Sequence, residues 1–175
     1  MFMKKVSTRL LTVAGATALA LGAMSGAQAA SPQTANLTVQ ATVDANCTIS
    51  TTAVDFGSYD PIVAHLSADL NAQGKVTVLC TTGAAATVTL GQGANADTGS
   101  TDADPARRLK HGTTDFLSYT LYTTSGRTVE WDNATGVAHT GTGASTDLAV
   151  FGTLLHGQNV PVGAYTDTVV ATITF

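Results

Sequence analysis

The sequence predicts an all-β fold, a sandwich of short strands with one apolar sheet face packed on another. Three observations carry this expectation. After residue 30 the apolar residues recur with a period of two rather than 3.6. Helix formers are scarce: glutamate occurs once, as Glu130, in a chain of 175 residues with 11% charged residues. Stretches rich in Gly, Asn, Asp and Ser separate the alternating runs at short intervals, as turns do. Each strand then carries one apolar face, and a second sheet must cover it.

The strands follow in order. Leu37, Val39, Ala41 and Val43 alternate with Thr38, Gln40 and Thr42. Val76, Val78 and Cys80 alternate with Thr77 and Leu79, and Val88 and Leu90 with Thr87 and Thr89. Leu117, Tyr119 and Leu121 alternate with Ser118 and Thr120. Leu148, Val150 and Leu154 share a face across Gly152, and Val169, Ala171, Ile173 and Phe175 close the chain. Six or seven strands result. Gly57, Gly152 and Gly163 fall where strands should bend or turn.

The first thirty residues have a different character. Lys4, Lys5 and Arg9 precede an uncharged apolar run from Leu10 to Met24, and Ala27-Gln28-Ala29 offers a small-x-small cleavage pattern. Residues 1–29 therefore read as a cleaved signal peptide; the run is short for a bilayer and contains Gly15 and Gly22. Its removal takes three of the eight basic residues and none of the twelve acidic ones, so the net charge moves from −4 to about −7. The mature chain is expected to be exported and acidic. Cys47 and Cys80, the two cysteines of the chain, fall in the exported part and are expected to form one disulfide.

Catalytic and ligand-binding readings find little support. Eight basic against twelve acidic residues, without a basic patch, argue against nucleic acid. Arg107, Arg108 and Lys110 make only a small basic spot, expected to cap an acidic neighbour or touch another subunit. Asp97, Asp102 and Asp104 share a Gly-rich stretch, but their spacing does not match a calcium loop. His65, His111, His139 and His156 are dispersed and expected at the surface. No G-x-S-x-G nucleophile motif occurs. Glu130 beside Trp131 lacks the second carboxylate that glycoside hydrolysis needs, and is expected at an exposed hairpin end. The expectation is no enzyme, no cofactor and no metal.

The two end strands point elsewhere. Residues 31–45 form an alternating segment ahead of the first cysteine with no apolar partner nearby. The last strand is what would be the sixth of a seven-stranded immunoglobulin-like sandwich. Such a domain would expose a groove beside its final strand, with unpaired backbone groups, unless another chain supplied the missing strand.

Val54-Asp55-Phe56-Gly57-Ser58-Tyr59-Asp60-Pro61, Arg107-Arg108-Leu109, Leu117-Ser118-Tyr119-Thr120-Leu121-Tyr122, Trp131, Val160–Val169 and the terminal Thr172-Ile173-Thr174-Phe175 fall in a familiar order. With them the chain resembles the spore coat protein U family, which includes the major pilins of archaic chaperone–usher pili. The resemblance implies an incomplete immunoglobulin-like β-sandwich lacking its final strand, with an N-terminal extension that fills the groove of the next subunit. The expected organisation is signal peptide 1–29, donor-strand segment 30–45 and pilin domain 46–175. Leu37, Val39, Ala41 and Val43 are the expected donor residues, and Val169, Ala171, Ile173 and Phe175 the expected groove. The implied partners are identical or sibling pilins, a periplasmic chaperone and an outer-membrane usher, and the implied location is the cell surface. A tip adhesin and a surface coat protein without a pilus are the alternatives.

Overall fold

The computed structural model describes residues 31–175; the expected signal peptide lies outside the described residues. Eight strands follow in order: β1 (Cys47–Thr52), β2 (Leu70–Cys80), β3 (Ala85–Leu90), β4 (Arg107–His111), β5 (Asp115–Tyr122), β6 (Val137–Thr140), β7 (Thr146–Leu154) and β8 (Ala171–Thr174). They form two antiparallel sheets, one in the order β1-β2-β7-β5-β4 and one in the order β6-β3-β8. The fold class is all-β, the incomplete immunoglobulin-like sandwich expected.

Residues 31–40 and residues 41–175 are two separate units. In the first, every residue is exposed and none lies in a helix or strand. The second holds both sheets. Their inner faces meet through Val76 and Val78 of β2, Val88 and Leu90 of β3, Leu117 and Leu121 of β5, and Val150 and Leu154 of β7. These are the residues the alternation assigned to one face. Burying each such side chain contributes roughly 1.5–3 kcal/mol.

Three expectations about the strands need correction. Strands β4 and β6 were not expected, because Arg107–His111 carries Leu109 as its one aliphatic residue and Val137–Thr140 is four residues long. Pairing supplies what local pattern lacks: β4 lies along β5 with Leu109 opposite Leu117, and β6 along β3 with Val137 opposite Val88. The last strand is shorter than expected, starting at Ala171 rather than Val169. Gly152 marks no bend. It sits within β7, where an added Cβ would come within 2.6 Å of Val54 Cγ1 and 2.9 Å of Phe56 Cζ, so the missing side chain lets that segment rest on the sheet. Gly57 does behave as a turn residue, with φ of 67°.

Arg107 does cap an acidic neighbour, as expected of the basic spot, but from a buried position. It is 1% exposed, and its guanidinium donates from Nε to the Gly91 carbonyl at 2.9 Å and from Nη2 to those of Leu90 and Trp131 at 2.9 and 2.7 Å. Its Nη1 pairs with Glu130 Oε1 at 3.3 Å, so Glu130 is half-buried rather than exposed. Burial pushes the Glu130 carboxyl above its ordinary value, and Arg107 opposes that push. Arg108 is also partly covered, paired to Asp97 at 2.8 Å and lying over the Phe116 ring. The histidines divide: His156 is exposed, whereas His65 stacks on Tyr59 and His111 and His139 are half-buried.

Candidate functional site

Four strands stand at the sheet edges, β1 and β4 in one sheet and β6 and β8 in the other, and a groove lies between two of them, β1 and β8. Among the described residues β1 pairs with β2 alone and β8 with β3 alone. The outer edge of each therefore presents backbone groups without a strand partner.

The approach to β8 shows which groups these are. The carbonyls of Thr168 and Val170 accept from the Ala94 and Gly91 N–H groups at 3.0 and 2.9 Å. Backbone groups alternate sides along an extended chain, so those of Val169, Ala171 and Ile173 point to the free edge. The side chains alternate too. Tyr165, Asp167, Val169, Ala171 and Ile173 are partly covered, whereas Thr166, Thr168, Val170, Thr172 and Thr174 are exposed.

The opposite wall is β1 and its continuation. Cys47 and Ile173 pack on one small cluster at one end, around Cys80, Ala84 and Ala86. Farther along, Val54 faces Val169 and Ala171 across a cavity of about 290 Å³. At the far end Phe56 and Tyr59 face Val160 and Tyr165 across a larger one of about 640 Å³. The two walls thus run antiparallel and leave an open groove between them. Apolar residues line most of it: Leu109 contributes to both cavities, Leu117 and Leu154 to the larger and Val150 to the smaller.

Two features hold the walls in place. Cys47 and Cys80 stand opposite each other in the β1–β2 register and are bonded, beside a Thr81 N–H to Asn46 carbonyl hydrogen bond of 2.9 Å. Closing 33 positions stabilises by roughly 3–4 kcal/mol on the chain-entropy account. At the other end the Tyr165 hydroxyl donates to the Pro161 carbonyl at 2.8 Å, four residues upstream. That is the hydrogen bond of a tyrosine corner, which pins the turn into the last strand.

Along the approach to β8 one charged side chain lies on the covered face. Asp167 accepts from the Tyr119 hydroxyl at 2.7 Å on Oδ2, and from the Asn95 backbone N–H and side-chain amide at 3.1 and 3.0 Å on Oδ1. Alternation from Val169 places Asp167 on the covered face, but its chemistry was not legible there because the partners lie 48 and 72 positions away.

The expected site residues fall as follows. Val169 and Ala171 line the smaller cavity, Ile173 packs on the inner clusters, and Phe175 is 54% exposed. Leu37, Val39 and Val43 are 89%, 84% and 81% exposed, and Ala41 is exposed as well. The Asp97, Asp102 and Asp104 stretch is engaged internally: Asp97 pairs with Arg108, Asp102 accepts from Gln92 at 3.0 Å, and the Asp104 N–H donates to Thr101.

Comparison with known proteins adds three findings. The family model for the Spore Coat Protein U domain matches residues 33–172. Over 182 aligned residues the sequence is 43% identical to Protein U of Myxococcus xanthus, covering 99% of this chain and 100% of that protein. In fold it resembles a chain of the CsuC–CsuE chaperone–tip adhesion subunit pre-assembly complex from the archaic chaperone–usher Csu pili of Acinetobacter baumannii, with a TM-score of 0.51 and 22% identity over 77% of this chain. It spans 40% of the length of that solved chain.

Proposed function

Because the chain belongs to the Spore Coat Protein U family, we propose that it is a structural subunit of an extracellular pilus, assembled by donor-strand complementation. The open groove between β1 and β8 carries this reading, since it lacks one strand on an apolar floor. Residues 30–45 of a second subunit supply that strand. Their backbone completes the free edge of β8, and Leu37, Val39, Ala41 and Val43 point inward. Burying these side chains stabilises by roughly 4–8 kcal/mol before ordering costs. Before assembly a periplasmic chaperone lends a strand to the same groove, and an outer-membrane usher receives the subunit. Residues 1–29 direct export and are cleaved.

Growth into a fibre sets the direction of the incoming strand. The donor segment leaves its own domain at Cys47, which lies at the Ile173 end of the groove. A strand antiparallel to β8 places the donor's Cys47 end beside the acceptor's Tyr165 end, and repetition gives an open head-to-tail filament. A parallel strand would bring two Cys47 ends together and block a third subunit.

The family's description favours one second reading, a protein deposited on a spore or cell surface without a pilus. Deletion of residues 31–43 separates the two. Under donor-strand complementation the deletion leaves a disulfide-bonded subunit recoverable with its chaperone, and electron microscopy of the cells shows no fibres. Unchanged surface deposition of the deleted chain would support the coat reading instead.

A further inference from the structure

The groove is not uniform along its length: on its β8 wall one charge, Asp167, faces inward and borders the smaller cavity. Tyr165 borders the larger cavity, and Asp167, Val169 and Ala171 border the smaller, with Asp167 at its end nearest Tyr165 on the inward face. Its carboxylate is held in place by Tyr119 from β5 and by both nitrogen groups of Asn95, and a Cβ on Gly93 would collide with it. Burial, reinforced by the neighbouring carboxylate, pushes the Tyr119 hydroxyl far above its ordinary range, so it remains a proton donor to Asp167. A branched apolar side chain laid on this carboxylate would strip its remaining water without offering a hydrogen bond, which is costly.

We propose that Asp167 sets the register of the incoming strand by reserving the position opposite it for Ala41, the smallest of the four inward-facing donor residues. The proposal rests on the donor-strand reading above. With Ala41 opposite Asp167 in an antiparallel pair, Val43 lies opposite Tyr165 and fills the larger cavity. Val39 lies opposite Val169 in the smaller cavity, and Leu37 opposite Ala171. A slip of two residues one way puts Val39 on the carboxylate and Ala41 into the cavity of about 640 Å³. A slip the other way puts Val43 on the carboxylate and leaves that cavity to Ala45. A slip of one residue turns the threonine face inward. Only one register places bulk in both cavities and a methyl group at the charge.

Cysteine cross-linking reads the register directly. Thr168 is exposed, and its backbone points away from the free edge, so it meets the donor at a close, non-hydrogen-bonded position. The full chain carrying Thr168→Cys is combined in turn with Thr38→Cys, Gln40→Cys or Thr42→Cys, exported with its own secretion machinery and run on non-reducing gels. The Gln40→Cys pair should give a ladder of disulfide-linked multimers, and the other two should not. A ladder from Thr38→Cys or Thr42→Cys instead would overturn the register while upholding donation. A cross-linked monomer from the Gln40→Cys pair would uphold the register and overturn donation between subunits. Absence of any cross-link would overturn both. As an independent arm, Ala41→Val should reduce fibre assembly, and adding Asp167→Ala should restore it; failure of that rescue would remove Asp167 from the role.

Discussion

The Arg107 guanidinium donates to the Trp131 carbonyl at 2.7 Å, and the Trp131 indole N–H donates to the Val88 carbonyl at 3.0 Å. Two large side chains, each 1% exposed, thereby tie β4, the end of β3 and the segment before β6 together. Burial lowers the Arg107 pKa from its ordinary value, and the negative groups around it oppose that. Arg107→Met keeps the apolar stem but leaves the Leu90, Gly91 and Trp131 carbonyls and Glu130 without their donor. It should destabilise by about 3–5 kcal/mol, the size expected on breaking a buried ion pair. Arg107→Lys should recover only part of this, because one ammonium cannot serve all four acceptors. Urea denaturation of the chaperone-free domain measures both, and equal stability of Arg107→Met and the parent would contradict the assignment.

The cysteine pair closes the end of the domain from which the donor segment departs. Cys80→Ser should lower stability by roughly 2–5 kcal/mol and reduce the yield of exported subunit. Mass spectrometry of non-reduced peptides from the parent should show Cys47 linked to Cys80.

Donor and acceptor residues are separable by face. Val39→Asp should abolish fibre growth while leaving the chaperone complex intact, whereas Gln40→Asp, on the opposite face, should leave fibres long. Ile173→Asp should weaken both chaperone capture and fibre growth, because it places a charge on the inner clusters at the end of the groove. Fibre length on cells and co-purification with the chaperone read the two effects. Equal behaviour of Val39→Asp and Gln40→Asp would remove the strand geometry on which the donor reading depends.

Acid should affect the fold only below the ordinary carboxylate range. The Ile62 and Val63 N–H groups hold Asp60 below its usual value of 3.8; a hydrogen bond from His156 does the same for Asp69, and Lys75 and Thr77 for Asp147. A carboxyl whose folded pKa is depressed contributes fully above 3.8, and the contribution disappears as pH falls through the depressed value. Glu130 has the opposite sign, since burial raises it above 4.5. The melting temperature should therefore not fall between about pH 7 and 5, where Glu130 can only add stability on acidification, and should fall below about pH 4. A steep loss already at pH 6 would point to groups other than these.

Much of the site was written in local pattern. Alternation over 169–173 assigned Val169, Ala171 and Ile173 to the inner face, and the structure covers those side chains. The same alternation marked Leu37, Val39 and Val43 as an apolar face without a local partner, and each is more than four-fifths exposed. Trp131 and Glu130 were visible as residues, but their partner was not. Arg107 stands in a run of basic side chains, and such a run ordinarily marks a solvated face.

The period of two and the turn residues determined by themselves that this chain forms short strands with one apolar face each, hence a sandwich, because each acts over neighbouring positions. Tertiary structure decided what lies between them. It placed Arg107 beneath carbonyls 16 to 24 positions away, made strands of Arg107–His111 and Val137–Thr140 by offering them partners, and left β1 and β8 at facing edges. A charge can be buried and an edge left open only relative to groups brought together by the whole fold, and no local window of sequence contains them.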